Sequence, residues 1–147
     1  MENSRKGKMI RLIINSSLED VFLMGLATRA ICSYVPLSQL TAYQLETCVV
    51  EAINNVIRHS YGNNTGCQVE VSIYLFLDRI RFQICDRGKP MPPETLRSEF
   101  KYDPENIEDL PEGGMGLHVI KSVMDEVEYE SKGGKNVLSM TKVFKPN

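Results

Sequence analysis

A chain of 147 residues, 42% apolar and 24% charged, has the composition of one globular domain with its own core, which excludes wholesale disorder. Its net charge of -2 and pI near 5.7 disfavour general nucleic-acid binding, which rests on a basic excess. Four scattered cysteines (Cys32, Cys48, Cys67, Cys85) form no CxxC pair, no apolar run approaches ~18 residues and the N-terminus lacks a signal-type apolar region, so the expectation is a soluble, cytoplasmic protein with free thiols, no zinc, no disulfide framework and no membrane role.

Residues 1–7 are polar and read as loose, and Lys8 to Asn15 is a short β-like run. Asn15-Ser16-Ser17 supplies a turn and a helix N-cap. A first helix is expected over 18–33, with Val21, Phe22, Met24, Leu26, Ala27 and Ile31 as its apolar residues and Gly25 a mild weakness. Pro36 ends it, and a second helix is expected from Ser38 to about His59.

Two patterns overlap on that second helix. Leu45, Val49, Ala52, Ile53 and Val56 recur at helical spacing, giving a stripe able to press on a sheet. Glu51, Asn55 and His59 fall at i, i+4 and i+8, a polar row flanking the stripe. Such a row suits the lining of a cavity between helix and sheet, where a carboxylate, a carboxamide and an imidazole supply a base, a hard oxygen for Mg2+ and a further hydrogen-bonding group. Taken alone, the stretch also fits a helix surface carrying ordinary polar residues.

Residues 60–66 (SYGNNTG) form a loop. Val69, Val71, Ile73, Leu75 and Leu77 then alternate with polar residues, as in a strand covered on one face. After a turn at Asp78-Arg79 a second strand places Ile80, Phe82 and Ile84 inward, and Asp86 continues that parity. A carboxylate in a core-facing register is costly unless something bonds to it, and Gly88 lets backbone approach a flat ligand. Asp86-Arg87-Gly88 thus reads as a pocket floor, or more blandly as a D-x-G turn ending a strand.

Lys89 to Glu112 holds all but two of the seven prolines, with a short helix expected near 93–100, and reads as a functional lid rather than a domain boundary. Gly113-Gly114-Met115-Gly116-Leu117 opens another helix, with Leu117, Ile120, Val123 and Met124 on its apolar side. Glycines before a helix let backbone N–H groups converge on an anion, although G-G-x-G alone is a weak signal. Strands near 126–130 and 137–144, joined by Lys132-Gly133-Gly134-Lys135, complete the chain as a hairpin, without repeats or low-complexity tracts.

In order and spacing, Glu51-x-x-x-Asn55-x-x-x-His59, Asp86-x-Gly88, the lid-like loop and Gly114-x-Gly116 closely resemble the GHKL nucleotide-binding fold of gyrase-type ATPases, histidine-kinase catalytic domains and anti-sigma serine kinases. The resemblance covers about residues 8–144. E-A-I-N-N-V-I-R-H-S-Y, D-R-G-K-P and E-G-G-M-G-L-H-V-I-K-S-V-M-D-E-V look most like the small bacterial anti-sigma factor serine/threonine kinases. The resemblance implies one α/β domain over 1–147, a two-layer sandwich whose mixed, largely antiparallel sheet is covered on one face by helices at 18–33, 38–60 and 115–124, with 89–112 as an ATP lid. A chain this short also leaves no room for the extra domains of a complete histidine kinase.

Carried over residue by residue, the resemblance implies that Asp86 accepts from the adenine amino group while Gly88 lets the base lie close. Asn55 would ligate Mg2+, and Gly114 and Gly116 would present amides to the ATP phosphates, in a nucleotide-binding loop that includes Gly113, Met115 and Leu117. Glu51 would be the base that deprotonates a serine hydroxyl, and His59 a pocket residue or a support behind one. Arg97 and Lys101 of the lid are within reach of phosphate by position, with no motif to assign them. Implied partners are an anti-sigma-factor antagonist of the STAS type as substrate, a sigma factor held inactive, and a second copy in a homodimer. Three rivals remain: a nucleotide-binding regulatory module that transfers nothing, an ATP hydrolase in which Glu51 activates water, and a kinase whose target has nothing to do with sigma factors.

Overall fold

The computed structural model describes residues 7–92, 94–95 and 114–144. Five strands, β1 (Lys8–Asn15), β2 (Gln68–Leu75), β3 (Arg79–Asp86), β4 (Glu126–Lys132) and β5 (Lys135–Val143), form one sheet in the order β1-β2-β3-β5-β4. Every pairing is antiparallel, so the sheet is not mixed. β2–β3 and β4–β5 are hairpins, and β1 and β2 are joined by a helical excursion that re-enters from the same end. The chain from β3 skips one position to reach β4, leaving it to β5 to fill the place between them. Among the described residues α1 (Leu18–Cys32), α2 (Gln39–Asn55) and α3 (Gly114–Val123) accompany it, making the two-layer α/β sandwich.

Local chemistry accounts for the element starts. Ser17 caps α1 by accepting from Asp20 N at 3.3 Å, while Asp20 Oδ2 accepts from Asn15 N at 2.9 Å and so ties the first turn of the helix to the end of β1. Ser38 caps α2 by accepting from Thr41 N at 3.0 Å. Alternation then selects the buried sheet face: Val69, Val71 and Ile73 of β2, Ile80, Phe82 and Ile84 of β3, and Leu138 and Met140 of β5 pack with Leu45, Val49 and Ile53 of α2 and Ile120 of α3. In the β4–β5 turn Gly133 and Gly134 have φ of +62° and +77°, the pair of positive values a two-residue hairpin needs.

Three expectations need correction. In α1 the buried residues are Val21, Met24, Gly25, Thr28 and Cys32, while Phe22 is 67% and Leu26 49% exposed. Close helix approach decides this: a Cβ on Gly25 would stand 3.2 Å from Val50 Cγ2, so α1 turns its small side, not its most apolar one, to α2. Leu77 is 62% exposed, because β2 ends at Leu75 and Phe76 N bonds Arg79 O at 2.9 Å, which puts Leu77 on the turn. The second helix is α-helical only to Asn55; residues Val56–Ser60 form a π-turn in which Tyr61 N reaches Val56 O at 2.9 Å. Residues 93 and 96–113, with most of the expected lid and its 93–100 helix, Arg97, Lys101 and Gly113, lie outside the described residues. Among the described residues no helix is long and apolar enough to cross a membrane.

Candidate functional site

A cavity of about 450 Å³ opens between α2 and the sheet. Asn55, Val56 and His59 supply one wall, Ile84 and Asp86 of β3 with Leu138 of β5 the floor, and Met91, Leu117 and Tyr129 the remaining sides. Its lining is mostly apolar with a few polar groups aimed inward, the arrangement that suits a flat heterocycle carrying a polar edge. Asn55, His59, Asp86 and Leu117 thus meet in one space, although α2, β3 and α3 are far apart in sequence.

Asp86 is 4% exposed and its charge is compensated locally. Its Oδ1 accepts from Gly88 N at 2.9 Å and from Asn136 Nδ2 at 2.8 Å. Asn136 gives its other amide proton to Gly88 O at 3.0 Å, and its own Oδ1 accepts from Ser131 Oγ at 2.6 Å. Met91 N donates to the Tyr129 hydroxyl at 2.8 Å, tying the segment after the D-x-G turn to β4, and burial pushes the Tyr129 phenol up from its ordinary value.

The second focus lies where α3 begins. A Cβ on Gly116 would stand 2.9 Å from Glu51 Oε2 and 3.2 Å from Asn55 Nδ2, so the α3 backbone comes directly against the carboxylate and carboxamide of α2. Gly114 and Met115 form the first residues of that helix. An anion seated on the first amides of α3 would lie beside Glu51 and Asn55, in the favourable field of the helix N-terminus. Arg58 Nη2 rests on Asn55 Oδ1 at 3.3 Å, adding positive charge to the same corner. The hard oxygen of Asn55 and this backbone cradle fit the demands of a phosphate-bound Mg2+.

Gly88 also has a packing task within the fold. A Cβ there would fall 2.3 Å from Ser60 O, and Lys89 N donates to the same carbonyl at 2.9 Å. The π-turn presents Ser60 to the D-x-G turn, and the Tyr61 hydroxyl fastens the junction by donating to Gln68 O at 2.6 Å and accepting from Arg87 N at 3.0 Å. Sequence reasoning missed Asn136, Ser131, Tyr129 and Arg58. Asn136 carried a readable signal: it shares the inward parity of Leu138 and Met140, the same anomaly that marks Asp86.

Fold and site together define a nucleotide-binding domain in which a glycine-opened helix meets a carboxylate and a carboxamide. The chain belongs to the histidine kinase-like ATPase domain family, whose model matches residues 14–142. It is 33% identical over 144 residues to the serine-protein kinase RsbW of Staphylococcus aureus (strain JH9), covering 95% of this chain and 89% of that protein. Its fold is similar to the RsbU and RsbW domains of Rv1364c from Mycobacterium tuberculosis, with a TM-score of 0.65 at 12% identity over 92% of this chain and 32% of that one. It is also similar to a chain of the SiaB–SiaC complex from Pseudomonas aeruginosa, with a TM-score of 0.61 at 14% identity over 97% and 95% of the two chains.

Proposed function

We propose that this chain is an ATP-dependent serine protein kinase acting as an anti-sigma factor: it phosphorylates a serine of an anti-sigma-factor antagonist and binds a sigma factor so as to hold it inactive. The observation that carries the catalytic part is the approach of Gly116 to Glu51 and Asn55. The kinship with a serine-protein kinase over nearly the whole chain supports the reaction, and the fold shared with a member of a two-protein complex is consistent with a protein partner.

In this reading the adenine lies in the cavity with its amino group on Asp86, and the phosphates run toward the first amides of α3. The Glu51 carboxylate takes the proton of the incoming serine hydroxyl as its oxygen bonds to the γ-phosphorus. The bond from that phosphorus to the bridging oxygen breaks, and ADP carries the electron pair away. Mg2+, when bound through Asn55 Oδ1, supplies charge neutralisation across the phosphate oxygens. Arg58, already on that oxygen, is placed to move onto phosphate. Positioning and electrostatics are what such a transfer chiefly asks of a protein. A second copy of the chain is the further partner of this reading, and Leu18, Phe22 and Leu26, exposed at i, i+4 and i+8 on α1, offer an apolar face for that contact.

The test is incubation with γ-labelled ATP, Mg2+ and a small STAS-type antagonist. Phosphoserine on the antagonist, absent with Glu51→Gln, is the expected result. ATP bound with the label left in place would instead establish a regulatory module, and label released as inorganic phosphate a hydrolase.

A further inference from the structure

We infer that Asn136, held by Ser131, is a positioning residue that sets the base selectivity of the site; the inference rests on the nucleotide reading above. Asn136 lies directly across from Asp86 in the β3–β5 register and is 1% exposed. Its carboxamide has no freedom of orientation. Both Nδ2 protons are used, toward Asp86 Oδ1 at 2.8 Å and Gly88 O at 3.0 Å, while Oδ1 receives the Ser131 hydroxyl at 2.6 Å. Turning the amide over would set its oxygen against a carboxylate and a carbonyl and leave Ser131 facing an NH2 group, so the network selects one orientation.

The consequence falls on Asp86. With Gly88 N and Asn136 Nδ2 both on Oδ1, that oxygen is filled, and among the described residues none donates to Oδ2 of this cavity-lining side chain. A carboxylate oxygen so placed welcomes the 6-amino group of a purine and opposes a 6-oxo group. The β4–β5 hairpin completes the device: its two-glycine turn fixes the register that sets Ser131 opposite Asn136. Selectivity at Asp86 is therefore held in place through Asn136 of β5 and Ser131 of the edge strand β4, a hairpin whose sequence carries no nucleotide motif.

Valine and threonine at 136 have nearly the same shape and differ in one donor hydroxyl, so the pair separates hydrogen bonding from packing. Binding of ATP and of inosine triphosphate is measured by titration, with thermal melts and amide exchange of Gly88 recorded without nucleotide. Asn136→Val should weaken ATP about tenfold and inosine triphosphate far less, the low end of what a hydrogen bond to a charged group contributes. Gly88 N–H should exchange faster in that variant, and Asn136→Thr should stay within about threefold of the unaltered ratio. Ser131→Ala, which removes only a hydroxyl at the sheet edge, should lower the ratio about threefold and carries the test if Asn136→Val fails to fold. A ratio unchanged in Asn136→Val, equal in the Val and Thr variants, or untouched in Ser131→Ala overturns the inference while the nucleotide reading stands. Failure of the unaltered protein to bind millimolar ATP removes both.

Discussion

Replacing Gly116 by alanine separates the catalytic geometry from the stability of the fold. The new methyl would stand 2.9 Å from Glu51 Oε2, 3.2 Å from Asn55 Nδ2 and 3.5 Å from Asn55 Oδ1. All three atoms are side-chain ends, so Glu51 rotates or retreats by about half an ångström and no backbone has to move. Gly116 is the third residue of α3, where alanine gains ~0.5–1 kcal/mol in helix propensity. Thermal stability should therefore be unchanged or slightly raised. Phosphoryl transfer should fall by ~10-fold or more, since a reacting group displaced by about a whole ångström costs ~10²-fold. The assays are a thermal melt and the rate of label transfer to the antagonist. Gly88→Ala is the control: its methyl would meet Ser60 O at 2.3 Å and Ser60 C at 2.6 Å, both backbone. It should lose ~1–3 kcal/mol or more, a fall in Tm of at least ~3 °C. A Gly116→Ala protein with full turnover, or one that melts as early as Gly88→Ala, would refute the assignment of this corner to phosphoryl transfer.

Glu51→Gln should leave ATP binding largely intact and cut transfer by ~10²-fold or more, read by comparing titration with turnover; undiminished turnover removes Glu51 from the mechanism. Asp86→Asn should act chiefly on affinity, weakening ATP by about tenfold or more, and an unchanged titration would sink the adenine assignment. Burial pushes the Cys48 thiol up to about 12 and the Cys32 thiol up to about 11, from 9.0. Unfolded thiols ionise first, so stability is full below about pH 9 and falls as pH rises through the folded values, by up to ~1.4 kcal/mol per pH unit for each thiol. Urea midpoints at pH 8, 9.5 and 10.5 should show the fall, and Cys48→Ala should flatten it; equal slopes would contradict the assignment.

The elements and the sheet's buried face were legible because helical and strand periodicity are properties of neighbouring residues. The alternation over Val69–Leu75 and Ile80–Ile84 marks the covered face, and the Asp86 anomaly is visible within its own strand. The row Glu51, Asn55 could be read on one helix for the same reason, and the resemblance in motif order led to the family that the comparisons establish. What failed depended on contacts distant in sequence. The face α1 buries was decided by how closely Gly25 approaches Val50, and no hydrophobic pattern within α1 contains that distance.

The sequence by itself thus determined the five strands and the three α-helices of the described residues, the sheet face that is buried and the motif set of a histidine kinase-like ATPase domain. Only the tertiary structure decided that α2 ends in a π-turn, that Gly88 packs on Ser60, and that Gly116 lies against Glu51 and Asn55. It alone joined Ser131, Asn136 and Asp86 in one hydrogen-bonded line. The physical reason is range. Propensity and patterning act over one or two turns of chain, whereas hydrogen-bond geometry at a site is set by atoms that the sheet brings together across 50 residues, as Asn136 and Asp86 are.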